Sequence, residues 1–344
     1  MKKLIVSILF LSLVTFCPSC KKDSDEFIVT GTTTLILKDT IKDTVWEDES
    51  KLVVLPTTFN IEKLANELSK TSDKNVFDAE LGGKITTPED VTVNIPANAC
   101  VTKTNQPCTG KIDIEILFLK TKGELIANDK PTTSGGKLLI SGGVVKIMAS
   151  QSGQEVKIAS GKSLKIRFKN ASPDPNMRFF EGKTDGRFKF DWVQIISTGS
   201  QNIANVTTWA DSTLNRENRG YEIVTDRFGW INCDKFSDDQ NLTNKFSVAL
   251  PDTFTNRNTS VYIVFKDINS VVKLEGNPST KQFSIPNGYK GIPIGRNVIV
   301  VSTSKFDTQS MLDVQETTVT ATTTVKMKPQ RSTPEEMKKK IHNL

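Results

Sequence analysis

Histidine is almost absent from this sequence of 344 residues. Its single histidine, His342, lies close to the C-terminal end. A serine or cysteine nucleophile that histidine activates would have to use this terminal residue. Zinc sites rich in histidine are excluded, because they need several imidazole ligands. The shortage removes many classes of enzyme, and we expect a protein without catalytic activity.

Long hydrophobic runs are also scarce. The one long stretch without charged residues that is mainly apolar covers residues 4–16 and follows Lys2 and Lys3. A membrane-spanning helix needs about 20 apolar residues, so this stretch is too short to span a bilayer. A positively charged start followed by a short apolar core is typical of a secretory signal peptide. We therefore predict a signal peptide over residues 1–19.

Cysteine occurs only five times, and Cys20 follows directly after the predicted signal peptide. The residues before Cys20, with the small Ser19, resemble a bacterial lipobox, in which the cysteine is acylated and becomes the new N-terminus. This resemblance implies two or three acyl chains on Cys20. Burying acyl chains gains about 0.8 kcal/mol per CH₂, and two or more such signals give stable anchoring. We expect a lipid anchor in the outer membrane and a flexible tether over residues 20–57.

Charged residues follow Cys20 immediately. Residues 21–26 read Lys-Lys-Asp-Ser-Asp-Glu and resemble the export tags of Bacteroidetes lipoproteins that reach the outer face of the outer membrane. An ordinary solvated tether has a similar composition. We expect display on the cell surface, and the periplasmic face is the alternative.

Three short segments resemble sites that Bacteroidetes O-glycosylate. In each of them an Asp precedes the hydroxyl residue, which is Thr40, Thr44 or Ser212. Glycans on such residues are bulky and lie at the surface. We treat the three residues as candidate glycosylation sites.

Positive charge is not concentrated in any one segment. The 45 Lys and Arg residues exceed the 39 Asp and Glu residues by only six, and the two signs are mixed along the chain. Nucleic-acid binding needs a basic patch or stripe on one face. We therefore expect no nucleic-acid partner.

Apolar and polar residues alternate with a period of two between residues 82 and 170. The apolar positions are 91, 93 and 95, then 112, 114 and 116, then 164, 166 and 168. This pattern predicts strands with one buried face and one solvated face. Turns are predicted at Gly135-Gly136, Gly142-Gly143, Ser152-Gly153 and Ser160-Gly161. Short strands at this spacing indicate an antiparallel β-sandwich.

Alternation returns between residues 245 and 327, and the Thr-rich run at 317–324 favours a strand. The whole pattern predicts a mainly β fold with two antiparallel, sandwich-like domains. We place the first sandwich at residues 58–170, a connecting β and loop region at 171–244, and a smaller C-terminal β-domain at 245–344.

Two short helices are predicted, one before the first sandwich and one at the end of the chain. Ile61, Leu64 and Leu68 lie on one side of a helix that starts at Asn60. At the other end, residues 333–336 read Thr-Pro-Glu-Glu, which is typical of an N-cap, a proline in the first turn and a capping box.

Several motifs resemble known proteins. Gly82-Gly83 and the segment at 91–99, Val-Thr-Val-Asn-Ile-Pro-Ala-Asn-Ala, resemble the opening of the ZU-type β-sandwich domain of netrin receptors and ankyrins. With Gly-Lys-Ile-Asp-Ile-Glu at 110–115, Phe-Gly-Trp-Ile-Asn-Cys-Asp-Lys-Phe at 228–236 and Ile-Pro-Ile-Gly at 292–295, the chain resembles uncharacterised envelope lipoproteins of Bacteroidetes. The resemblance implies a sandwich fold. Some ZU-type domains cleave themselves at a turn with histidine, and this chain lacks that histidine.

Cys100 and Cys108 flank a turn-prone connection of seven residues. Two cysteines that close a short loop in an exported protein favour a disulfide. Such a bridge would contribute on the order of 2 to 3 kcal/mol. Two free thiols and a redox-active pair are the alternatives.

The segment at 228–236 and the two acids after it are a candidate binding or metal site. Trp230, Asn232, Asp234, Asp238 and Asp239 offer oxygen ligands beside an aromatic ring. Calcium binds such oxygens, but the regular spacing of a calcium-binding loop is missing. The simpler interpretation is a buried junction in which Trp230 fills a core. Cys233 has no histidine nearby to activate it.

The aromatic residues near position 190 allow two interpretations. Phe188, Phe190 and Trp192 lie on one face of a predicted strand, and strand aromatics usually belong to a core. Together with Trp209 they could instead stack on sugars.

We expect a structural or interaction role in the envelope, with a protein or glycan partner and no cofactor. A glycan-binding module and a hydrolase that uses paired carboxylates are the alternatives.

Overall fold

Antiparallel strands make up most of the chain, as the alternation predicts. The computed structural model describes residues 44–48, 60–184, 190–197, 203–211 and 218–344, which belong to one unit spanning Asp43–Leu344. The predicted fold class is confirmed, since the fold is mainly β with antiparallel sheets and a short C-terminal helix. Within the described ranges the helices are α1 (Asn60–Leu68), α2 (Lys122–Ala127) and α3 (Pro334–His342). Cys20, Thr40, Phe188 and Ser212 lie outside these ranges, and Thr44 is exposed.

The first fifteen strands follow one another between residues 73 and 236. In chain order they are β1 (Asp73–Asp78), β2 (Gly83–Thr86), β3 (Thr92–Ile95), β4 (Cys100–Val101), β5 (Lys111–Leu119), β6 (Thr133–Ser134), β7 (Lys137–Gln151), β8 (Gln154–Glu155), β9 (Lys157–Ile158), β10 (Leu164–Lys169), β11 (Arg178–Thr184), β12 (Phe190–Gln194), β13 (Ala204–Ala210), β14 (Arg219–Thr225) and β15 (Gly229–Phe236).

These strands form two facing sheets and one short pair. The inner sheet has the order β1-β5-β7-β15-β11-β12, with β6 and β8 attached to β7. The outer sheet has the order β13-β14-β10-β3-β2, and β4 pairs with β9. Alternate residues of both sheets meet in one core, which includes Val93, Ile114, Ile166 and Ile223. Residues 58–170 and 171–244 both supply strands to this sandwich, because β11 to β15 join its two sheets.

Ten more strands follow in the C-terminal part. They are β16 (Leu242–Thr243), β17 (Phe246–Ala249), β18 (Thr259–Phe265), β19 (Val271–Asn277), β20 (Gln282–Ser284), β21 (Ile292–Pro293), β22 (Asn297–Phe306), β23 (Gln309–Thr318), β24 (Thr323–Lys326) and β25 (Gln330–Arg331). The C-terminal sheet has the order β24-β17-β20-β19-β18-β22-β23-β25, and only β17 and β24 run parallel in the described part of it.

The C-terminal sheet buries both of its faces. Val261, Ile263 and Phe265 of β18 point into a core made mainly of C-terminal residues, which Leu138 of β7 and Trp46 also join. Tyr262 and Val264, on the other face of β18, join a second core with the inner sheet and all three helices. Because side chains alternate along a strand, one strand contributes to both cores. The inner sheet is therefore covered by the outer sheet on one face and by helices and the C-terminal sheet on the other.

The two terminal helices behave as their sequences predict. Ile61, Leu64 and Leu68 are buried, and α1 contacts β22 and α3. Thr333 and Glu336 form the predicted capping box, which fixes the start of α3. Helix α2 was not predicted. Its signal is the same capping box, made by Thr121 and Glu124.

Two local predictions are wrong. Gly142-Gly143 is not a turn, because β7 continues through it. A Cβ at Gly143 would lie 3.0 Å from the Phe118 ring, so the absence of a side chain lets aromatic rings pack on the strand. The run 317–324 is not one strand either. It ends β23 and begins β24, and between them Thr323 Oγ1 accepts a hydrogen bond from the Thr320 N–H at 2.9 Å, which closes a turn.

Candidate functional site

The outward face of the outer sheet carries polar side chains in rows across the strands. In one row, Thr86 lies opposite Thr92, Thr92 opposite Arg167, and Arg167 opposite Glu222. In the next row, Asn94 of β3 lies between Lys84 of β2 and Lys165 of β10. Cross-strand neighbours in register have Cβ atoms about 5 Å apart, so each row is a continuous band of side chains.

Two adjoining cavities lie along these rows, and we call them together the outer trough. The first has a volume of ≈ 420 Å³ and is lined by Lys84, Thr86, Asp90, Thr92, Asn94, Arg167, Lys169, Trp209, Asp211 and Asn218. The second has a volume of ≈ 580 Å³ and is lined by Gly83, Lys84, Asn94, Ile95, Pro96, Ser163, Lys165, Arg167 and Val224. Ligand pockets of small molecules have volumes in this range. Lys84, Asn94 and Arg167 line both cavities, so the two lie side by side.

Trp209 stands at one side of the outer trough on the edge strand β13. Its indole N–H donates to the Tyr221 carbonyl oxygen at 3.1 Å, which fixes the ring against the sheet. The Arg167 guanidinium carbon lies 5.6 Å from the ring centroid, within the range of a cation–π contact. The side chain is half-buried, so part of the ring remains open to solvent.

Positive charge exceeds negative charge on this face. Glu222 is held by Arg167 and also by Lys165, with Lys165 Nζ at 3.4 Å, so one carboxylate serves two cations. Lys169 Nζ lies 2.8 Å from Asp90 Oδ2 in a pair that is about half exposed. Exposed pairs of this kind contribute little to stability and exchange easily with solvent or ligand.

The predicted residues of β15 are buried rather than open to a ligand. Asn232 and Asp234 are fully buried, and Asn232 Nδ2 donates to Asp234 Oδ2 at 2.6 Å. Ser141 Oγ donates to Asn232 Oδ1 at 3.2 Å. Burial raises the pKa of Asp234 well above its ordinary value, which favours the neutral acid. Cys233 beside it is also buried, and burial raises its pKa as well, so it is a poor nucleophile.

The other predicted residues of this site lie apart. Asp239 is bound to Arg296, whose Nη2 lies 2.8 Å from Oδ2, and Asp238 is exposed. Trp230 is half-buried, with Lys146 Nζ 5.1 Å from its ring centroid. Across the described residues, no group of three or more His, Cys, Asp or Glu could hold a metal ion. The structure therefore does not gather the candidate calcium ligands into one site.

Cys100 and Cys108 lie directly opposite each other across the turn. The Cys108 N–H donates to the Cys100 carbonyl oxygen at 3.0 Å, and both side chains are buried free thiols. Opposed residues in such a hydrogen-bonded pair have Cα atoms about 5.5 Å apart, which a disulfide can span. Burial raises the pKa of Cys100 to about 11, which makes a redox-active thiolate unfavourable. The disulfide stays a prediction.

The aromatics around residue 190 belong to a core. Trp192 is fully buried, and its indole N–H donates to the Pro131 carbonyl oxygen at 2.9 Å. Phe190 packs edge-on against Trp192 with ring centroids 4.8 Å apart. Of the aromatics that the sequence offers for stacking on sugars, only Trp209 lines one of the described cavities.

Sequence reasoning missed most of the outer trough. On β10, apolar residues alternate with Lys165, Arg167 and Lys169. This pattern predicts that the three side chains are solvated, but it does not indicate that they line a binding site. Their neighbours Lys84 and Asn94 come from β2 and β3, about 80 residues earlier in the chain. Which strands pair is set by the tertiary fold, so no local signal could have joined these residues.

Comparison of the chain with models of protein families, with curated proteins and with solved structures finds no match. Among the described residues, no helix is long and apolar enough to cross a membrane. The chemistry of the outer trough is therefore the main guide to function.

Proposed function

We propose that this chain is a lipid-anchored envelope protein with a binding role, and that its ligand site is the outer trough. The trough is the observation that carries the proposal, because it joins two cavities on a sheet face and combines cations, amides and hydroxyls around one aromatic ring. Sites of this type bind through a few placed polar groups. Acyl chains on Cys20 hold the protein in the outer membrane, and the part of the tether before residue 44 gives it reach.

The anchor is tested by metabolic labelling with radioactive palmitate. Wild-type protein is expected to carry the label, and Cys20→Ala to lose it and leave the membrane fraction. Cys17→Ala is a matched control three residues earlier, and it should keep the label. A wild-type chain without label would overturn the lipid anchor.

The surface location is tested by adding protease to intact cells and detecting the sandwich with an antibody. Loss of the sandwich without lysis is expected for display on the cell surface. Survival until the outer membrane is permeabilised would instead place the chain on the periplasmic face. In that case the export-tag interpretation of residues 21–26 would be wrong.

Glycan binding is the second candidate function, and Trp209 favours it. A half-buried indole ring beside amide, hydroxyl and charged side chains can stack on a sugar ring while its neighbours bond the hydroxyl groups. The test is an array of polysaccharides probed with wild-type chain, Trp209→Ala and Trp230→Ala. Trp230 is a matched control, since it is also half-buried with a cation over its ring. Loss of binding with Trp230→Ala alone would move the site to the aromatics of β12 and β15.

A hydrolase remains the alternative from a different class, because Asp90 and Asp211 line the same cavity. The Asp90 carboxylate already has a cationic partner, because its Oδ2 lies 2.8 Å from Lys169 Nζ. Incubation with each bound polysaccharide, followed by sizing of the chains, distinguishes the two functions. If the wild type shortens the polysaccharide and Asp90→Asn and Asp211→Asn do not, the protein is an enzyme. A binding module is expected to leave the polysaccharide intact.

A further inference from the structure

We propose that the outer trough takes an anionic glycan chain, with a sugar ring on Trp209 and its acidic groups at Lys84 and Arg167. This inference rests on the proposed glycan binding and adds the chemical class of the ligand. It is carried by the distribution of charge along the trough and by the lining residues that its two cavities share.

The excess positive charge lies where the two cavities join. Lys84 and Arg167 line both cavities, and Lys165 lines the second. Glu222 is the carboxylate that faces this group from the neighbouring strand, and it already holds both Arg167 and Lys165. Lys84 is exposed and forms no ion pair within the described ranges. Asp90 and Asp211 line only the first cavity, whereas the described lining of the second cavity contains three cations and no carboxylate. An anionic group in the second cavity would therefore meet Lys84, Lys165 and Arg167, of which the last two share Glu222.

Register explains why this positive charge is concentrated. Lys84 and Lys165 both lie opposite Asn94, one on each side of β3, and Arg167 occupies the next outward position of β10. The uncharged Asn94 lies between Lys84 and Lys165. Together with Arg167, both lysines line the second cavity, so the three charges face the same space. Charge-assisted hydrogen bonds to a carboxylate or a sulfate are stronger than neutral ones.

The shape of the trough favours a chain over a single sugar. It crosses the outer sheet from β2 to β13, a distance of roughly 19 Å for five strands spaced about 4.8 Å apart. Trp209 stands near the β13 side and Lys84 near the β2 side. One sugar ring cannot contact both, whereas a linear chain laid across the strands can. Carboxylated and sulfated glycans share the required chemistry, and binding assays can separate them.

The test measures affinity of the full chain, in detergent, for four polymers. These are polygalacturonate, which is carboxylated, dextran sulfate, neutral dextran and single-stranded DNA. We expect at least one anionic glycan to bind ten times more tightly than dextran, and its affinity to fall as salt rises because exposed charges are screened. Lys84→Glu should weaken this binding about tenfold or more. Lys74→Glu, a charge reversal of an exposed lysine on the edge strand β1, should change it less than twofold.

Each remaining result has a defined meaning. Equal affinity for dextran and the anionic glycans, unchanged by Lys84→Glu, would overturn the anionic class but leave glycan binding in place. Equal affinity for DNA, lost in both lysine variants, would show unspecific charge attraction and overturn the inference. Absence of binding to every polymer, with Trp209→Ala indistinguishable from wild type on the array, would contradict glycan binding itself.

Discussion

Asp234 is a carboxyl group in an environment that disfavours its charge. It lies fully buried on β15 and accepts a hydrogen bond from Asn232. An isolated carboxylate is costly in such a place, and burial raises the pKa of Asp234 well above its ordinary value, which favours the neutral acid. Its position in the middle of the sandwich, away from the described cavities, indicates a structural role for a residue that the sequence offered as a metal ligand.

Replacing Asp234 by Asn should remove a pH dependence of stability. The folded pKa is raised above the unfolded value of about 3.9, so its contribution to stability is full below that value and is lost as pH rises towards the folded pKa. From about pH 4 upwards, the wild type should lose up to about 1.4 kcal/mol per pH unit relative to Asp234→Asn. Urea unfolding at a series of pH values measures this difference.

Asp252→Asn is the control for that experiment, because it removes an exposed carboxyl outside the core. Its stability should follow the wild type across the whole series. A constant difference between wild type and Asp234→Asn at every pH would contradict a neutral, buried Asp234.

Cys100 and Cys108 are expected to form a disulfide in the exported protein. They face each other across a short turn, and an oxidising compartment favours the bond. Reduction should lower the free energy of unfolding by on the order of 2 to 3 kcal/mol. Cys100→Ser with Cys108→Ser should unfold at the same urea concentration with and without reductant. Mass spectrometry under non-reducing conditions checks the bond directly, and two alkylated thiols would contradict it.

At the scale of elements, the contact between α2 and α3 depends on one glycine. A Cβ at Gly123 would lie 2.2 Å from the backbone oxygen of Ile341, far closer than atoms can approach. Gly123→Ala should therefore force the helices apart and cost about 1 to 3 kcal/mol, the range for overpacking a core. Chemical unfolding of the purified chain measures the loss.

Gly153→Ala is the matched control for the helix contact. Gly153 has φ +76° and no heavy atom within 4 Å of an added Cβ, so it tests backbone strain alone. It should cost about 1 kcal/mol. If Gly153→Ala destabilised the chain as much as Gly123→Ala, close packing of α2 on α3 would not explain the glycine.

The segment 44–48 is attached to the C-terminal strands by side chains that no local pattern predicts. The rings of Trp46 and Phe283 are 5.1 Å apart. Asn256 bonds the Glu47 backbone twice, accepting from its N–H at 2.9 Å and donating to its carbonyl at 2.8 Å. These contacts join residues more than 200 positions apart. Residues 44–48 lie inside the predicted tether of 20–57, so this part of it is fixed to the fold and is not a free spacer.

Local patterns predict elements well when one face of the element is buried. The alternating runs correctly predict strands β3, β5 and β10, and the motif at 333–336 correctly predicts the capping box of α3. Gly142-Gly143 was mistaken for a turn because the same residues also suit a strand on which aromatic rings pack closely. Residues 171–244 offered weaker patterns, yet they supply strands to both sheets. Strand order and register come from long-range packing, which local sequence does not encode.

At the scale of the whole molecule, one sheet face is left open. The helices and the C-terminal sheet cover one face of the inner sheet, and the outer sheet covers the other. The outward face of the outer sheet carries the outer trough instead of a further layer of the described chain. Of this site, the sequence singled out only Trp209, because the polar residues around it come from four strands.

Hydrogen–deuterium exchange tests directly whether the outer trough is the binding site. The full chain is compared with and without the polysaccharide that binds it most tightly. Amides of the edge strands β2 and β13 exchange through local opening, so a bound ligand should slow them. Slower exchange is expected in β2, in β13 and in the turn at 87–91. Slower exchange confined to β11, β12 and β15, with the outer sheet unchanged, would contradict it.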